Sequence, residues 1–145
     1  MLLKKNKNNV LINKKEELMS KEIFLDSSTM IVSETDEKGI ILYANSDFCK
    51  IAAYSKDELI GKPHNIVRHS DMPKVAFEDL WKTIQAGKTW NGIVKNRTKD
   101  GNFYWVNATA YPSSTKDGKK RYISVRVKPS KDEIESAEAL YKTLQ

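Results

Sequence analysis

The sequence predicts an α+β fold, in which one antiparallel sheet of five strands has its helices on one face. The first observation is the order of the segments: two strand-like stretches, then several helical ones, then three strand-like stretches. The second is that an Asp-Gly dipeptide, which is common in hairpin turns, follows both the third and the fourth of these five strands. The third is the length of 145 residues, which suffices for one domain with a buried core and a helical extension at each end.

The composition excludes several classes of protein. Hydrophobic residues make up 39% of the chain and charged residues 30%, and no apolar run approaches the roughly 18 residues of a membrane helix. Because no signal-peptide pattern opens the chain, we expect a cytoplasmic protein without direct membrane insertion. A single cysteine, Cys49, excludes an internal disulfide and a cysteine-based metal site, and we expect no metal. The net charge of +6 comes largely from lysines that form no helix face or stacking platform, so we expect no nucleic-acid binding.

The N-terminal 1–28 segment is predicted to be a basic leader followed by a cap helix. Its first nine residues are polar and lysine-rich, which is typical of disorder. Asn13 followed by Glu16 resembles a helix start, so a short helix is expected over Lys14–Phe24.

The domain proper, residues 29–129, begins with a predicted hairpin. Thr29–Thr35 and Ile40–Ala44 are its strands, because a turn with Asp and Gly separates two apolar stretches. A helix capped by Asn45 follows over Asn45–Tyr54, and a further helical turn is expected from Ser55.

The clearest helix follows Pro73. Four of its apolar residues lie at positions i, i+3, i+4 and i+7: Phe77, Leu80, Trp81 and Ile84. Ser70 or Asp71 is expected to cap its start, and Gly87 to end it.

Three strands and a final helix complete the predicted domain. The strands are Trp90–Thr98, Asn102–Tyr111 and Arg121–Lys128, each bounded by turn residues. The final helix occupies residues 130–145, where Ser130 and the glutamate three residues later form a capping box.

Alternation along the later strands indicates which side chains face the helices. With Lys95 on the solvent side, Asn96 faces the apolar layer, where its amide either bonds nearby backbone or binds a ligand. In the last strand, alternation does not say whether the polar or the apolar set faces the helices. If the polar set does, Arg126 reaches the same cavity as Asn96. The opposite face carries Phe103 and Trp105, so a terminal helix or a second subunit should cover it.

The stretch PHNIVRHSDMP at residues 63–73 holds both histidines, His64 and His69, together with Arg68 and Asp71. The proline at each end restricts its backbone. It is either a surface turn, whose exposed Arg–Asp pair contributes about 0–1 kcal/mol, or a loop held over a ligand.

These segments resemble the flavin-binding PAS domains of bacterial aerotaxis receptors. The resemblance rests on three stretches: YANSDFCKIAAYSKDELIGKPHNIVRHSDMPKVAFEDLW, TWNGIVKNRTKDGNFYWV and SVRVKPSKDEIESAEALY. PHNIVRH with DMP, and WNGIVKNR, are its most specific parts. Ser70 departs from the pattern, because that family more often has proline there.

The resemblance implies a five-stranded PAS fold that holds FAD non-covalently between the sheet and the helices. It gives cofactor-binding roles to the loop residues Arg68, His69 and Asp71, to Trp81 on the long helix and to Asn96 on the sheet. Arg68 offers forked donors to a pyrophosphate, and His69 stacks on or hydrogen-bonds the dinucleotide. Asp71 orients Arg68 or caps the helix, and Asn96 bonds the edge of the flavin.

The expected function is therefore redox, energy or oxygen sensing without enzymatic turnover. Because no output domain follows the final helix, we expect signalling to a chemoreceptor-like partner in a chemotaxis pathway. A homodimer through the outer sheet face or the terminal helices is also expected. One alternative is a haem-binding gas sensor with His64 or His69 as axial ligand, and another is a cofactor-free PAS dimerisation module. The glycine-rich loops of a nicotinamide enzyme are absent from the sequence.

Overall fold

The computed structural model describes residues 19–145 as five antiparallel strands in the order β2-β1-β5-β4-β3, and the predicted fold class is confirmed. The strands are β1 Ile31–Thr35, β2 Ile41–Ala44, β3 Trp90–Arg97, β4 Phe103–Ser114 and β5 Lys120–Val127. The helices are α1 Ser46–Ala52, α2 Lys56–Leu59, α3 Lys74–Gln85 and α4 Lys131–Thr143, with a 3-10 helix at His64–Val67.

The strand β5 lies at the centre of the sheet, between the pair β1–β2 and the pair β3–β4. On one side it pairs with β1, and on the other with β4, so that Arg126 lies opposite Ile31 and Ala108. A residue that faces the helices from β5 is therefore surrounded by sheet on both sides.

Local side-chain chemistry starts the early helices where the sequence predicts. The side-chain oxygen Oδ1 of Asn45 accepts hydrogen bonds from the backbone N–H of Phe48 in α1 at 3.1 Å and from that of Val32 in β1 at 3.0 Å. One side chain thus caps the helix and fixes it to the sheet. Ser55 and Glu58 form a reciprocal capping box at the start of α2.

The predicted cap of α3 is wrong. The helix begins after Pro73, which provides no side-chain cap, whereas Asp71 forms an ion pair with Lys95 at 2.8 Å. Proline suits this position because the first turn of a helix leaves its N–H groups without intrahelical partners. The Trp90 indole donates to Asp79 at 3.0 Å and fixes α3 to β3.

The final helix lies on the face of the sheet opposite α3, and not with the other helices. The Tyr141 hydroxyl in α4 donates to the carbonyl of Ile93, and Trp105 beneath the helix is 5% exposed. Of the two expected covers for the aromatic outer face, the terminal helix is the one that the structure shows.

The predicted helix over Lys14–Phe24 begins outside the described residues, which start at residue 19. Within them, the segment from Ser20 to Phe24 is not helical, because Ile23 donates to the carbonyl of Phe103 at 2.7 Å and Phe103 donates to that of Lys21 at 3.0 Å. None of the helices within residues 19–145 combines the length and apolar character that crossing a bilayer requires.

Candidate functional site

A cavity of about 200 Å³ lies between the sheet and the helices. Its walls come from α3, the 3-10 helix, the β1–β2 turn and the cavity-facing residues of β3, β4 and β5. Small residues on β4, Ala108 and Ala110, leave this space above the sheet. Four of the six predicted cofactor-binding residues line it: Arg68, Trp81, Asn96 and Arg126.

Arg126 is the deepest charge in the cavity wall, with 3% of its surface exposed. Its Nη1 donates to Nε2 of His64 at 2.8 Å and its Nη2 donates to Oγ of Ser33 at 2.8 Å. Its Cζ lies 4.7 Å from the ring centroid of Phe48, but its Nε is buried without a partner. Burial lowers the pKa of Arg126 to about 10, so the guanidinium keeps its charge at neutral pH.

His64 is the acceptor that positions this guanidinium. Burial, and then the charge of Arg126, lower the pKa of His64 to about 3, so its ring is neutral. The Ser33 hydroxyl also lies 3.0 Å from Nε2 of His64. Because the Ser33 oxygen accepts from Arg126, its O–H can donate to this nitrogen. Sequence reasoning missed Ser33, and it considered His64 only as a haem ligand. The alternation of Ile31, Ser33 and Thr35 along β1 is the signal that could have found Ser33, because all three are buried.

Arg68 lines the cavity from the helix side. Its guanidinium carbon lies 3.6 Å from the ring centroid of Phe77, and its Nε is buried without a partner. Burial lowers the pKa of Arg68. Its backbone forms an isolated antiparallel bridge with Asn96, so the loop is attached to the edge of the sheet.

Asn96 faces the cavity, with 5% of its surface exposed. Its side chain hydrogen-bonds the phenol of Tyr104, the residue opposite it on β4.

Trp81 meets Tyr122 edge-on, with centroids 5.5 Å apart. A Cβ on Gly39 would lie 2.9 Å from the Trp81 ring, so the β1–β2 turn requires a glycine where it meets this wall.

His69 and Asp71 are not among the residues that line the cavity. Nδ1 of His69 accepts from the backbone of Asp71 at 3.0 Å, and a hydrogen bond from Lys95 lowers the pKa of Asp71. The chain crosses the edge of β3 here, where the backbone N–H of Lys95 donates to the Met72 sulfur at 3.4 Å. This crossing takes both residues to the outer face of the sheet, and their contact with a cofactor stays a prediction.

The charges of the cavity are of one sign. Among the described residues that line it are three cations, Lys38, Arg68 and Arg126, and neither aspartate nor glutamate. Polar groups stand among apolar and aromatic walls, as in most binding sites for organic ligands. The arrangement can therefore hold a flat, partly apolar molecule that carries acceptors or negative charge.

Curated relatives agree with this architecture. The aerotaxis receptor of Escherichia coli (strain K12) is 45% identical over 120 residues, which is 83% of this chain and 24% of that protein. The nitrogen fixation regulatory protein of Klebsiella oxytoca is 25% identical over 103 residues, 70% of this chain and 21% of that protein. The chain thus spans about a quarter or less of the length of these relatives.

Solved structures show the same fold. The dark structure of the blue-light photoreceptor Aureochrome1 LOV has a TM-score of 0.67 at 19% identity, covering 81% of this chain and 87% of that one. A light-oxygen-voltage domain studied with a flavin analogue has a TM-score of 0.63 at 22% identity, covering 79% and 84%. The sequence pattern of the PAS fold matches residues 41–127. With its five-stranded sheet, its cavity and these matches, the chain belongs to the PAS family as a sensor module.

Proposed function

We propose that this PAS module is a redox sensor that binds FAD non-covalently in the cavity and has no catalytic turnover. The observation that carries the proposal is the buried guanidinium of Arg126, which faces the cavity without a carboxylate. A buried charge without an ionic partner costs several kcal/mol, because neutral hydrogen bonds replace only part of its hydration. A ligand rich in acceptors would complete its hydrogen bonds.

The residues around the cavity suit a flavin. Arg126 and Arg68 each hold an unpaired buried Nε, and Asn96 adds an amide with both donor and acceptor atoms. Trp81 and Phe77 supply aromatic surface for a flat ring system. We infer that Asn96 and Arg126 bind the polar edge of the ring from the sheet, and that Arg68 and Trp81 bind it from the helices.

When bound, a flavin supplies reversible electron uptake, which alters the charge and protonation of its ring. The residues of the chain sense that change. The fixed positive charge of Arg126 favours the more negative form of the ring and raises its reduction potential. His64 and Ser33 hold the guanidinium, so that its donors are positioned before the charge changes.

The signalling role is inferred from the relatives. The likeness to the aerotaxis receptor covers 83% of this chain but 24% of that receptor. The other parts of the receptor therefore have no counterpart in the matched segment. We propose that the module passes the redox state to a chemoreceptor-like protein in the cytoplasm. A homodimer through the outer sheet face or the terminal helices stays a prediction.

The geometry favours a flavin over the two alternatives. Of the residues described as lining the cavity, His64 is the one histidine, and its Nε2 is engaged by Arg126 and Ser33. Haem ligation through that nitrogen would release the arginine from its acceptor. A cofactor-free dimerisation module gives no reason for a buried cation beside an open cavity.

The absorption spectrum of the purified chain tests the proposal. We expect a yellow protein that releases FAD on heating, and apoprotein that regains the spectrum with added FAD. Arg68→Ala and Asn96→Ala should each lose about 1.5–3 kcal/mol of binding free energy, or one to two orders of magnitude in affinity. Arg97→Ala is the matched control, because its side chain is exposed beside Asn96 and does not line the cavity.

The spectrum also separates the alternatives. A folded, colourless protein that takes up no FAD would refute flavin binding, and a Soret band would favour haem. Unchanged FAD affinity in both cavity variants would place the flavin elsewhere.

A further inference from the structure

The cavity is too small to enclose a whole dinucleotide. Its volume is about 200 Å³, whereas pockets that enclose drug-sized ligands span about 300–1,000 Å³. A flavin ring seated in it must therefore project its ribityl chain and phosphates towards solvent. The position of the opening decides which side chains the phosphates meet.

The opening lies between the β1–β2 turn and the 3-10 helix. Only three of the described lining residues are exposed: Lys38, Pro63 and Asn65. The two segments touch, because the backbone N–H of His64 donates to the carbonyl of Gly39 at 3.0 Å. Lys38 and Asn65 are the sequence neighbours of that bonded pair, so they lie on the same rim.

Lys38 is held at this rim by the backbone of its turn. The Asp36 carboxylate accepts hydrogen bonds from the N–H of Lys38 at 2.8 Å and from that of Ile40 at 3.0 Å. Gly39 packs its backbone against the Trp81 ring, which fixes the turn to the cavity wall. No carboxylate among residues 19–145 forms an ion pair with the Lys38 ammonium, which leaves its charge available to a ligand.

We propose that Lys38, with Asn65 beside it, forms the phosphate subsite of the cavity, where the phosphates of a flavin nucleotide leave for solvent. The subsite rests on the proposed function and deepens it, because it assigns the phosphates to the β1–β2 turn and not to the loop of His69 and Asp71. Arg126 is buried and Arg68 is half-buried, so both arginines lie farther from solvent than the exposed rim does. Lys38 is the exposed cation among the described lining residues.

Riboflavin, FMN and FAD separate this subsite from the ring site. Riboflavin has the ring and no phosphate, FMN adds one phosphate, and FAD adds the diphosphate and adenosine. The full chain is stripped of flavin, and the Kd of each ligand is measured for wild type, Lys38→Gln and Lys38→Glu. Lys116→Glu is the matched control, because it makes the same charge change on an exposed turn that does not line the cavity.

The two Lys38 variants should weaken phosphate-bearing flavins selectively. We expect Lys38→Gln to raise the Kd of FMN and FAD about three- to five-fold and Lys38→Glu about ten-fold, since an exposed charge–phosphate contact is modest. The Kd of riboflavin should not change, and the control should bind all three ligands as wild type does. Added salt should weaken FAD binding more in wild type than in Lys38→Gln.

Two outcomes overturn the subsite while flavin binding stands. Unchanged Kd values for FMN and FAD in Lys38→Glu would mean that the phosphates leave elsewhere. An equal loss for riboflavin would mean that Lys38 supports the ring cavity and does not contact phosphate. A wild-type protein that binds none of the three ligands would refute the proposed function, and the subsite with it.

Discussion

The buried His64 predicts a specific dependence of stability on pH. In the folded protein its ring is neutral and accepts a hydrogen bond from Arg126, and its pKa is lowered to about 3 from the ordinary 6.5. In the unfolded chain the ring is hydrated and takes up a proton as the pH falls below 6.5. The two states therefore bind different numbers of protons over the interval between these values.

The sign follows from which state binds the proton. Below pH 6.5 the unfolded chain gains a proton that the folded protein excludes, so acid favours unfolding. This stability is fully present above pH 6.5 and is lost as the pH falls towards 3. Between about pH 7.5 and about pH 5.5, the loss arises over the one pH unit that lies below the pKa of His64 in the unfolded chain. It lowers the free energy of unfolding by about 1.4 kcal/mol. This result requires only that the pKa of His64 in the folded protein lies well below the lower of the two pH values.

Urea denaturation followed by tryptophan fluorescence at the two pH values measures this loss. His64→Gln is the comparison, because its amide oxygen can accept from Arg126 and does not titrate. The wild type should lose about 1.4 kcal/mol more than the variant between the two conditions. Groups common to both proteins cancel in the difference. If both lose the same amount, His64 titrates normally in the folded protein, and its role as a neutral acceptor is refuted.

Three further outcomes are expected. Gly92→Ala should lower the free energy of unfolding by about 1–3 kcal/mol, because the added Cβ would lie 2.6 Å from Cζ2 of Trp90; an unchanged urea midpoint would contradict this. Blue light should produce no cysteine adduct, since Cys49 is the single cysteine and does not line the cavity; reversible bleaching that Cys49→Ala abolishes would count against it. Reduction of the bound flavin under anaerobic conditions should change hydrogen exchange in α4 more than in β3–β5, and identical exchange in both redox states would leave the sensor without a transmitted signal.

The order of the elements was predictable because short-range chemistry fixes it. Asn45, Ser55 and Ser130 each cap a helix at the predicted residue. Such caps depend on a side chain and on backbone groups two or three residues away. Alternation also placed Asn96 on the buried face of β3, because a single polar residue there stands out among apolar neighbours.

The site was only partly predictable because its contacts are long-range. Alternation divides the side chains of β5 into a polar set and an apolar set, but it does not say which set faces the helices. The sequence therefore did not determine on which face of the sheet Arg126 lies. His64 lies on a 3-10 turn too short to show a period, and its partners Ser33 and Arg126 are 31 and 62 residues away. Asp71 was expected beside Arg68, but the chain between them crosses the edge of β3, and this crossing has no signature in the sequence.

The same alternation that divides the strands also connects the cavity to α4. In β3, Asn96 faces the cavity, whereas its neighbour Lys95 lies with Trp105 in the polar cleft beside α4. In β5, Arg126 faces the cavity, and four residues later Ser130 caps α4. Because adjacent residues of a strand point to opposite faces, a shift in the hydrogen bonds of either cavity residue acts on the backbone that supports the helix. Of these helices, α1 packs on β1 and α2 packs on β2, whereas α4 packs on β3. We therefore expect α4 to respond first to a change of charge in the cavity.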